Sequence, residues 1–196
     1  MARSTCCWLA VTALLAWTGS AHASLLGQSV DVTLTDGSTL NEADTVLVGA
    51  GPEITPGDGS NVGTLLLPNE SVDLGDFVIE VVLEEGASNH TTGYPAGTHY
   101  LFSNLGFGDP LLKIVGVGVA SDNIANLSPG SVSFTQDSVT LSIDALTIGS
   151  IPNSVDVGSV TLSLEVASIP EPSPLALVGL ALAGLAALRG RRSALA

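Results

Sequence analysis

Apolar and polar residues alternate with a period of two along the middle of this chain, and this pattern is the strongest constraint on its fold. In each alternating segment Val, Ile, Leu or Phe takes every second position, and Thr, Ser, Asp or Glu fills much of the rest. The clearest segments are residues 30–35, 77–84, 139–144 and 160–166. Side chains of a β-strand point alternately to opposite faces, so the pattern predicts four strands that are buried on one face.

Shorter apolar runs predict further strands, for a total of about eight. They lie at residues 45–49, 63–67, 99–103 and 112–119. Clusters of Gly, Pro, Asp and Asn separate the runs and predict turns. Outside the two ends of the chain, no run with the helical period exceeds about ten residues. We therefore expect an all-β domain over residues 24–168, built as an antiparallel β-sandwich, with a β-barrel of the same strand number as the alternative.

Residues 1–23 have the three parts of a bacterial-type signal peptide. Arg3 provides a positive start, residues 8–17 form an apolar run, and Ala21 and Ala23 supply small side chains in an A-x-A pattern. Signal peptidase accepts only small side chains at these two positions, so we expect this enzyme to cleave after Ala23. The apolar run is too short to span a bilayer, which disfavours an uncleaved anchor. This segment therefore predicts export.

The last part of the chain, residues 169–196, combines a proline-rich segment, an apolar run and a basic end. In chain order these parts are Pro170, Glu171 and Pro172, then residues 175–188, then Arg189, Arg191 and Arg192. The apolar run would be about 21 Å long as a helix. The hydrocarbon core of a bilayer is about 30 Å thick, so the run predicts a short transmembrane helix. The arginines should stay cytoplasmic, which places residues 24–168 outside the inner membrane.

A Pro-Glu-Pro tripeptide, a short Leu/Ala/Gly helix and a terminal arginine cluster, in a chain with a signal peptide, resemble the PEP-CTERM sorting signal. The resemblance implies that an exosortase, an integral membrane cysteine protease, recognises and cleaves the chain at Pro170-Glu171-Pro172. It also implies a single-helix anchor in the inner membrane before processing, and the cell envelope or extracellular matrix as the destination. An ordinary C-terminal anchor is the alternative. The resemblance covers the tail and no functional domain.

The charge of the chain is strongly negative, with 19 Asp and Glu against 5 Lys and Arg and a net charge of −14 at pH 7. All acidic residues except Glu171 lie between residues 24 and 168, where Lys113 is the single lysine and no arginine occurs. Such a domain repels nucleic acid, so we expect no nucleic-acid partner. The plain interpretation is a solvated acidic face, and divalent cations or a basic partner are the alternatives. Cys6 and Cys7 fall in the signal peptide, so the domain itself would have no disulfide.

No catalytic constellation is evident in the domain, and we expect that it is not an enzyme. His90 and His99 are its two histidines, and Gly86-Ala-Ser-Asn-His90 lacks the closing glycine of a nucleophile elbow. The adjacent pair Glu84 and Glu85 would point to opposite faces of a strand, so it does not form the facing carboxylates of a glycosidase.

The sequence predicts no cofactor, and bound Ca²⁺ is the alternative. Asp58-Gly-Ser-Asn61 forms an oxygen-rich turn, and Asp73-Leu-Gly-Asp76 forms a second. Neither has the spacing of an EF-hand loop. Asp58 and Asn61 are the candidate metal ligands, and the alternative is that such residues only make local backbone hydrogen bonds.

The sequence therefore predicts an exported envelope or matrix protein with a structural or adhesive role. A carbohydrate- or calcium-binding module, with exopolysaccharide as a candidate partner, is the alternative, and a secreted hydrolase comes third. Clustering of aromatic side chains on one exposed face would favour carbohydrate binding. The candidates are Tyr94, Tyr100, Phe102 and Phe107, which could equally belong to the core.

Overall fold

The computed structural model describes residues 24–37, 41–86, 90–144, 146–149 and 156–169, which form an all-β structure as predicted. The predicted signal peptide and the predicted C-terminal helix lie outside the described residues. Two short 3-10 helices span Val62–Thr64 and Pro129–Ser131. Eleven strands occur in the described ranges: β1 (Ser29–Thr35), β2 (Asn41–Leu47), β3 (Ser71–Leu74), β4 (Val78–Glu84), β5 (His99–Ser103), β6 (Leu112–Asp122), β7 (Ile124–Ala125), β8 (Val132–Phe134), β9 (Val139–Ser142), β10 (Thr147–Ile148) and β11 (Val157–Ser168).

The strands form antiparallel sheets, which confirms the predicted pairing. One sheet has five strands in the order β2-β1-β5-β9-β8, and the other has four in the order β3-β4-β11-β6. Strands β7 and β10 form a separate two-stranded ribbon. Buried side chains of both large sheets belong to one hydrophobic core, so the sheets pack face to face as in a β-sandwich. Among the described strands, no ladder joins the two large sheets, as closure into a barrel would require.

The alternating sequence pattern explains how the core is built. Along β1 the residues Val30, Val32 and Leu34 are buried, and the residues between them are only half-buried. Strands β4, β9 and β11 repeat this pattern with their own apolar residues. Burial of one such side chain contributes about 1.5–3 kcal/mol, so a register slip by one residue would expose a whole row of core residues.

The prediction of a strand at residues 63–67 is wrong. A 3-10 helix occupies Val62–Thr64, because Asp44 of β2 accepts hydrogen bonds from the backbone N–H groups of Asn61 (3.0 Å) and Val62 (2.7 Å). These bonds hold the loop in a turn, and its apolar residues pack at the edge of the core. The predicted strand at 45–49 lies nearer the N-terminus, at Asn41–Leu47.

The structure also has more strands than the eight or so that were predicted. Four additional strands, β3, β7, β8 and β10, contain only two to four residues each. Segments of this length hold at most two alternations, so their pattern cannot be distinguished from that of a loop.

Two glycines, Gly86 just after β4 and Gly93 before β5, allow two backbone segments to approach closely. An added Cβ on Gly86 would lie 2.4 Å from Gly93 Cα and 2.8 Å from Gly93 N. The Gly86 N–H group also donates to the Thr91 carbonyl (2.8 Å). The backbone at Gly86 therefore touches the backbone at Gly93 without an intervening side chain.

We expect Gly86→Ala to lower the free energy of unfolding by about 2 kcal/mol, because backbone atoms would have to move to admit the methyl group. Gly118→Ala on β6 is the matched control, since its Cβ would make an ordinary 3.6 Å contact with Ser163 Cβ. The control should change stability by no more than about 0.5 kcal/mol. Urea denaturation measures both values, and equal losses would contradict the prediction.

Candidate functional site

The two residues predicted to bind calcium lie in one loop but bind different partners. The Asp58 carboxylate accepts hydrogen bonds from Thr55 N–H (2.7 Å), Ser60 N–H (2.8 Å) and the Ser60 hydroxyl (2.6 Å). Burial raises the pKa of Asp58, but these hydrogen bonds outweigh it, so the pKa lies below its usual value. The Asn61 amide instead donates to the Ala43 carbonyl (3.1 Å) and to Asp44 (3.2 Å). Calcium binding in this loop stays a prediction.

A buried polar cluster forms around Glu70, which is only 2% exposed. One carboxylate oxygen accepts from the Tyr94 hydroxyl (2.5 Å) and from Leu67 N–H (2.9 Å). The other oxygen accepts from Glu84 N–H (3.2 Å). Burial raises the pKa of Glu70, and the three hydrogen bonds only partly offset that rise. The cluster joins the loop before β3, the end of β4 and the loop before β5.

Tyr100 lies next to this cluster with its hydroxyl buried. Within the described residues Tyr100 Oη has no hydrogen-bond partner. It does not reach hydrogen-bonding geometry with Tyr94, although the two hydroxyls are close enough to affect each other's pKa. Burial, and secondly the negative charge of Glu70, raises the pKa of Tyr100. Burial also raises the pKa of Tyr94, so both hydroxyls are protonated at neutral pH.

The aromatic residues considered for carbohydrate binding belong to the core. Tyr100, Phe102 and Phe107 are fully buried, and Tyr94 packs partly buried against the core. The rings of Tyr100 and Phe102 stack with centroids 5.8 Å apart, and those of Phe77 and Phe107 stack at 5.7 Å. These side chains therefore form no exposed platform for a sugar ring.

A polar cleft of about 310 Å³ lies where the start of β1, the segment before β6 and the turn before β9 meet. Five polar or charged side chains contribute to its lining, which otherwise consists of small, apolar and backbone groups. The five are Gln28, Asn104, Asp109, Lys113 and Asp137. The single lysine of the domain therefore lies in a concave site flanked by hydrogen-bonding groups.

A cluster of possible metal ligands forms around His90. Its Nδ1 atom lies 3.1 Å from Glu85 Oε1 and 3.7 Å from Asp156 Oδ2. His99, by contrast, places its Nδ1 atom 2.8 Å from the Gly97 carbonyl oxygen. His90 and Glu85 drew attention in the sequence, but Asp156 did not. Its position follows from the pairing of β4 with β11, which no local sequence pattern reveals.

The neighbouring carboxylates Glu84 and Glu85 bind different segments of the chain. Glu84 accepts a hydrogen bond from Asn69 N–H (2.9 Å), and Glu85 accepts one from His90 N–H (2.7 Å). This arrangement agrees with the expectation that they do not face each other across a substrate. That the chain is not an enzyme stays a prediction.

The pH dependence of stability should reveal the buried Glu70. Because burial raises its pKa in the folded state, this group stabilises the fold below its ordinary pKa of 4.5, and the contribution is lost as pH rises through the raised pKa. The unfolding free energy of the wild type minus that of Glu70→Gln should therefore increase as pH falls from neutral toward 4.5. Urea denaturation across this pH range measures it.

Glu80→Gln provides the matched control, because it removes the same charge from a half-buried position between core residues of β4. Removing any carboxylate changes the overall repulsion in this acidic domain, and the control corrects for that effect. A difference curve for Glu70→Gln that parallels the one for Glu80→Gln would refute the role of burial.

Strand β11 forms the C-terminal end of the domain and leads directly to the predicted sorting tail. Strand β11 ends at Ser168, and the Ile169 N–H group donates to the Leu111 carbonyl (2.9 Å). The last buried core residue is Leu164. Among the described residues, no helix is long and apolar enough to cross a membrane. The predicted processing residues lie outside the described residues: Ala21, Ala23, Pro170, Glu171, Pro172, Arg189, Arg191 and Arg192.

Comparison with known proteins yields one match, and it concerns this tail. No curated protein and no solved structure matches the chain. A family model described as the PEP-CTERM protein-sorting motif matches residues 168–192. The match confirms the resemblance seen in the sequence and supports an exported protein that is targeted to an exosortase. This chain carries a PEP-CTERM sorting signal, which begins at the last residue of strand β11.

Proposed function

We propose that the protein is a component of the cell envelope or extracellular matrix with a structural or adhesive role. In this proposal an exosortase cleaves the chain at Pro170-Glu171-Pro172 and separates the domain from its membrane helix. The observation that carries the proposal is the direct junction of the sorting motif, residues 168–192, with β11. Because no linker separates them, the tail would hold the sandwich close to the membrane until cleavage.

The position of the cleavage site is compatible with a domain that stays folded after release. Strand β11 lies between β4 and β6, so it is a central strand of its sheet. All of its fully buried residues are at or before Leu164, and its pairing with β6 ends at Ser168. A cut after Ile169 would therefore remove no residue of the described core and no rung of the described sheet.

The edge formed by β6 supports a role in association beyond Ile114, whose N–H group donates to the Gln136 carbonyl (3.0 Å). Within the described sheet, β6 pairs with β11 on one side, and its side chains Val115 and Val119 are 53% and 39% exposed. Phe134 of the neighbouring edge strand β8 is 45% exposed. Edge strands with apolar side chains favour contacts with other chains. Such a surface is better suited to a matrix component that associates with other chains than to a protein that must remain monomeric.

Processing can be tested by intact-mass spectrometry on protein recovered from the medium and envelope of the host. We expect a chain that begins at Ser24 and ends within Pro170-Glu171-Pro172. Glu171→Ala should abolish this product and leave the protein with its tail in the membrane fraction, because it changes the tripeptide that the exosortase is proposed to recognise. Glu165→Ala, the same change on an exposed position of β11, is the control and should be processed normally.

A wild-type mass that still includes residues 175–188, found only in the inner membrane, would overturn the processing. Equal retention of both variants would show that the change acts on the domain rather than on recognition of the motif.

Carbohydrate binding is the second candidate function, and the polar cleft around Lys113 is the observation that favours it. Amide, carboxylate and ammonium groups in a concave site are suited to the hydroxyl and carboxylate groups of an exopolysaccharide. Its aromatic residue, Phe107, is fully buried, so recognition would depend on hydrogen bonds rather than on ring stacking. Calcium binding by Asp58 and Asn61 also stays a proposal.

Co-sedimentation with exopolysaccharide extracted from the host tests the cleft. We expect Lys113→Gln to weaken binding about tenfold or more, which is the usual cost of losing a charged hydrogen bond. Asp122→Asn, at the exposed far end of the same strand, is the control and should not weaken binding. Absence of binding by the wild type, or equal binding by both variants, would exclude this use of the cleft.

A further inference from the structure

We propose that Glu85, His90 and Asp156 form a binding site for a divalent transition-metal ion of the Zn²⁺ type. One potential ligand atom from each residue lies within 4.8 Å of the other two. Ligands around a tetrahedral ion with bonds of about 2.0–2.1 Å are about 3.3 Å apart. The separations of 3.1 Å and 3.7 Å from His90 Nδ1 to the two carboxylates bracket this value. The site is independent of the function proposed above.

The chemistry of the three groups selects the kind of metal. An imidazole nitrogen with two carboxylate oxygens suits Zn²⁺ and similar ions, whereas Ca²⁺ and Mg²⁺ prefer oxygen ligands alone. The two carboxylates would neutralise the charge of a divalent ion, which matters because the Asp156 side chain is only 4% exposed. His90 is 49% exposed and leaves an open side for entry and for a water ligand.

A hydrogen-bonded trio without metal is the competing explanation. A proton on Nδ1 can be donated fully to one carboxylate only, whereas the ring faces two. A metal ion in place of that proton would bind the imidazole and both carboxylates together. A metal ion therefore accounts for the approach of both carboxylates to one ring nitrogen, which a single proton does not.

Backbone hydrogen bonds hold the three residues in place before any ion binds. Glu85 N–H donates to the Asp156 carbonyl (2.8 Å), and His90 N–H donates to Glu85 Oε1 (2.7 Å). The His90 carbonyl in turn accepts from Ile148 N–H (2.7 Å). His90 itself has a left-handed backbone with φ of 61°, which is uncommon for a residue other than glycine. The ligands come from the end of β4, the loop before β5 and the residue before β11, so a bound ion would link all three segments.

Metal binding can be measured on the protein as its host processes it, after metal has been stripped with a chelator. We expect Zn²⁺ to bind with one-to-one stoichiometry in calorimetry and to raise the midpoint of thermal unfolding. Co²⁺ should bind with the visible absorption of a four-coordinate site. His90→Asn removes the imidazole and keeps a residue that tolerates the left-handed backbone. It should weaken binding by more than the roughly 10–100-fold that loss of an outer-shell partner costs.

His99→Asn is the matched control, because it removes the other histidine of the domain and leaves the three proposed ligands intact. It should bind Zn²⁺ like the wild type. Absence of saturable Zn²⁺ and Co²⁺ binding by the wild type would overturn the site, and so would undiminished binding by His90→Asn. If circular dichroism shows that His90→Asn is unfolded, Glu85→Gln decides the question, because its amide oxygen can still accept from His90 N–H.

Discussion

Hydrogen bonds from backbone N–H groups to carboxylates hold the loops of this domain on its two sheets. The domain has a single lysine and no arginine, so ion pairs can contribute little, and within the described residues those within 4 Å all involve His90. Glu53 illustrates the alternative, because its two oxygens accept from Gly49 N–H and Leu74 N–H and join a loop to β3. Many acidic residues thus accept hydrogen bonds within the domain, whether or not they also face solvent.

Carboxylate acceptors also explain how a domain without cysteine can build long, ordered loops. Backbone N–H groups in a loop have no strand partner, and a carboxylate that accepts two or three of them replaces the missing strand hydrogen bonds. Glu70 is a deeply buried example of such an acceptor. Desolvation raises its pKa although three groups donate hydrogen bonds to its carboxylate. The cluster of Glu85, His90 and Asp156 is the place where two carboxylates converge on a group that can also bind metal.

Much of the fold could be predicted because a long strand can be recognised from its own alternating sequence pattern. The apolar alternation in β1, β4, β9 and β11 correctly indicated which residues face the core. The strand predicted at residues 63–67 was wrong because the run is apolar but lacks a period of two. Such a run fits a loop that packs against the core as well as it fits a strand. Only the bonds from Asn61 and Val62 to Asp44 decide between them, and those bonds join positions 17 and 18 residues apart.

The sequence by itself determined the class of the fold, the inward faces of the long strands and the sorting tail, because periodicity and short motifs are local properties of a chain. Tertiary structure alone decided what the acidic residues do. Glu85 and Asp156 are far apart in sequence, and they meet because Glu84 pairs with Val157 where β4 and β11 run antiparallel. Strand register is set by the packing of a whole sheet against the core, so no local pattern contains it.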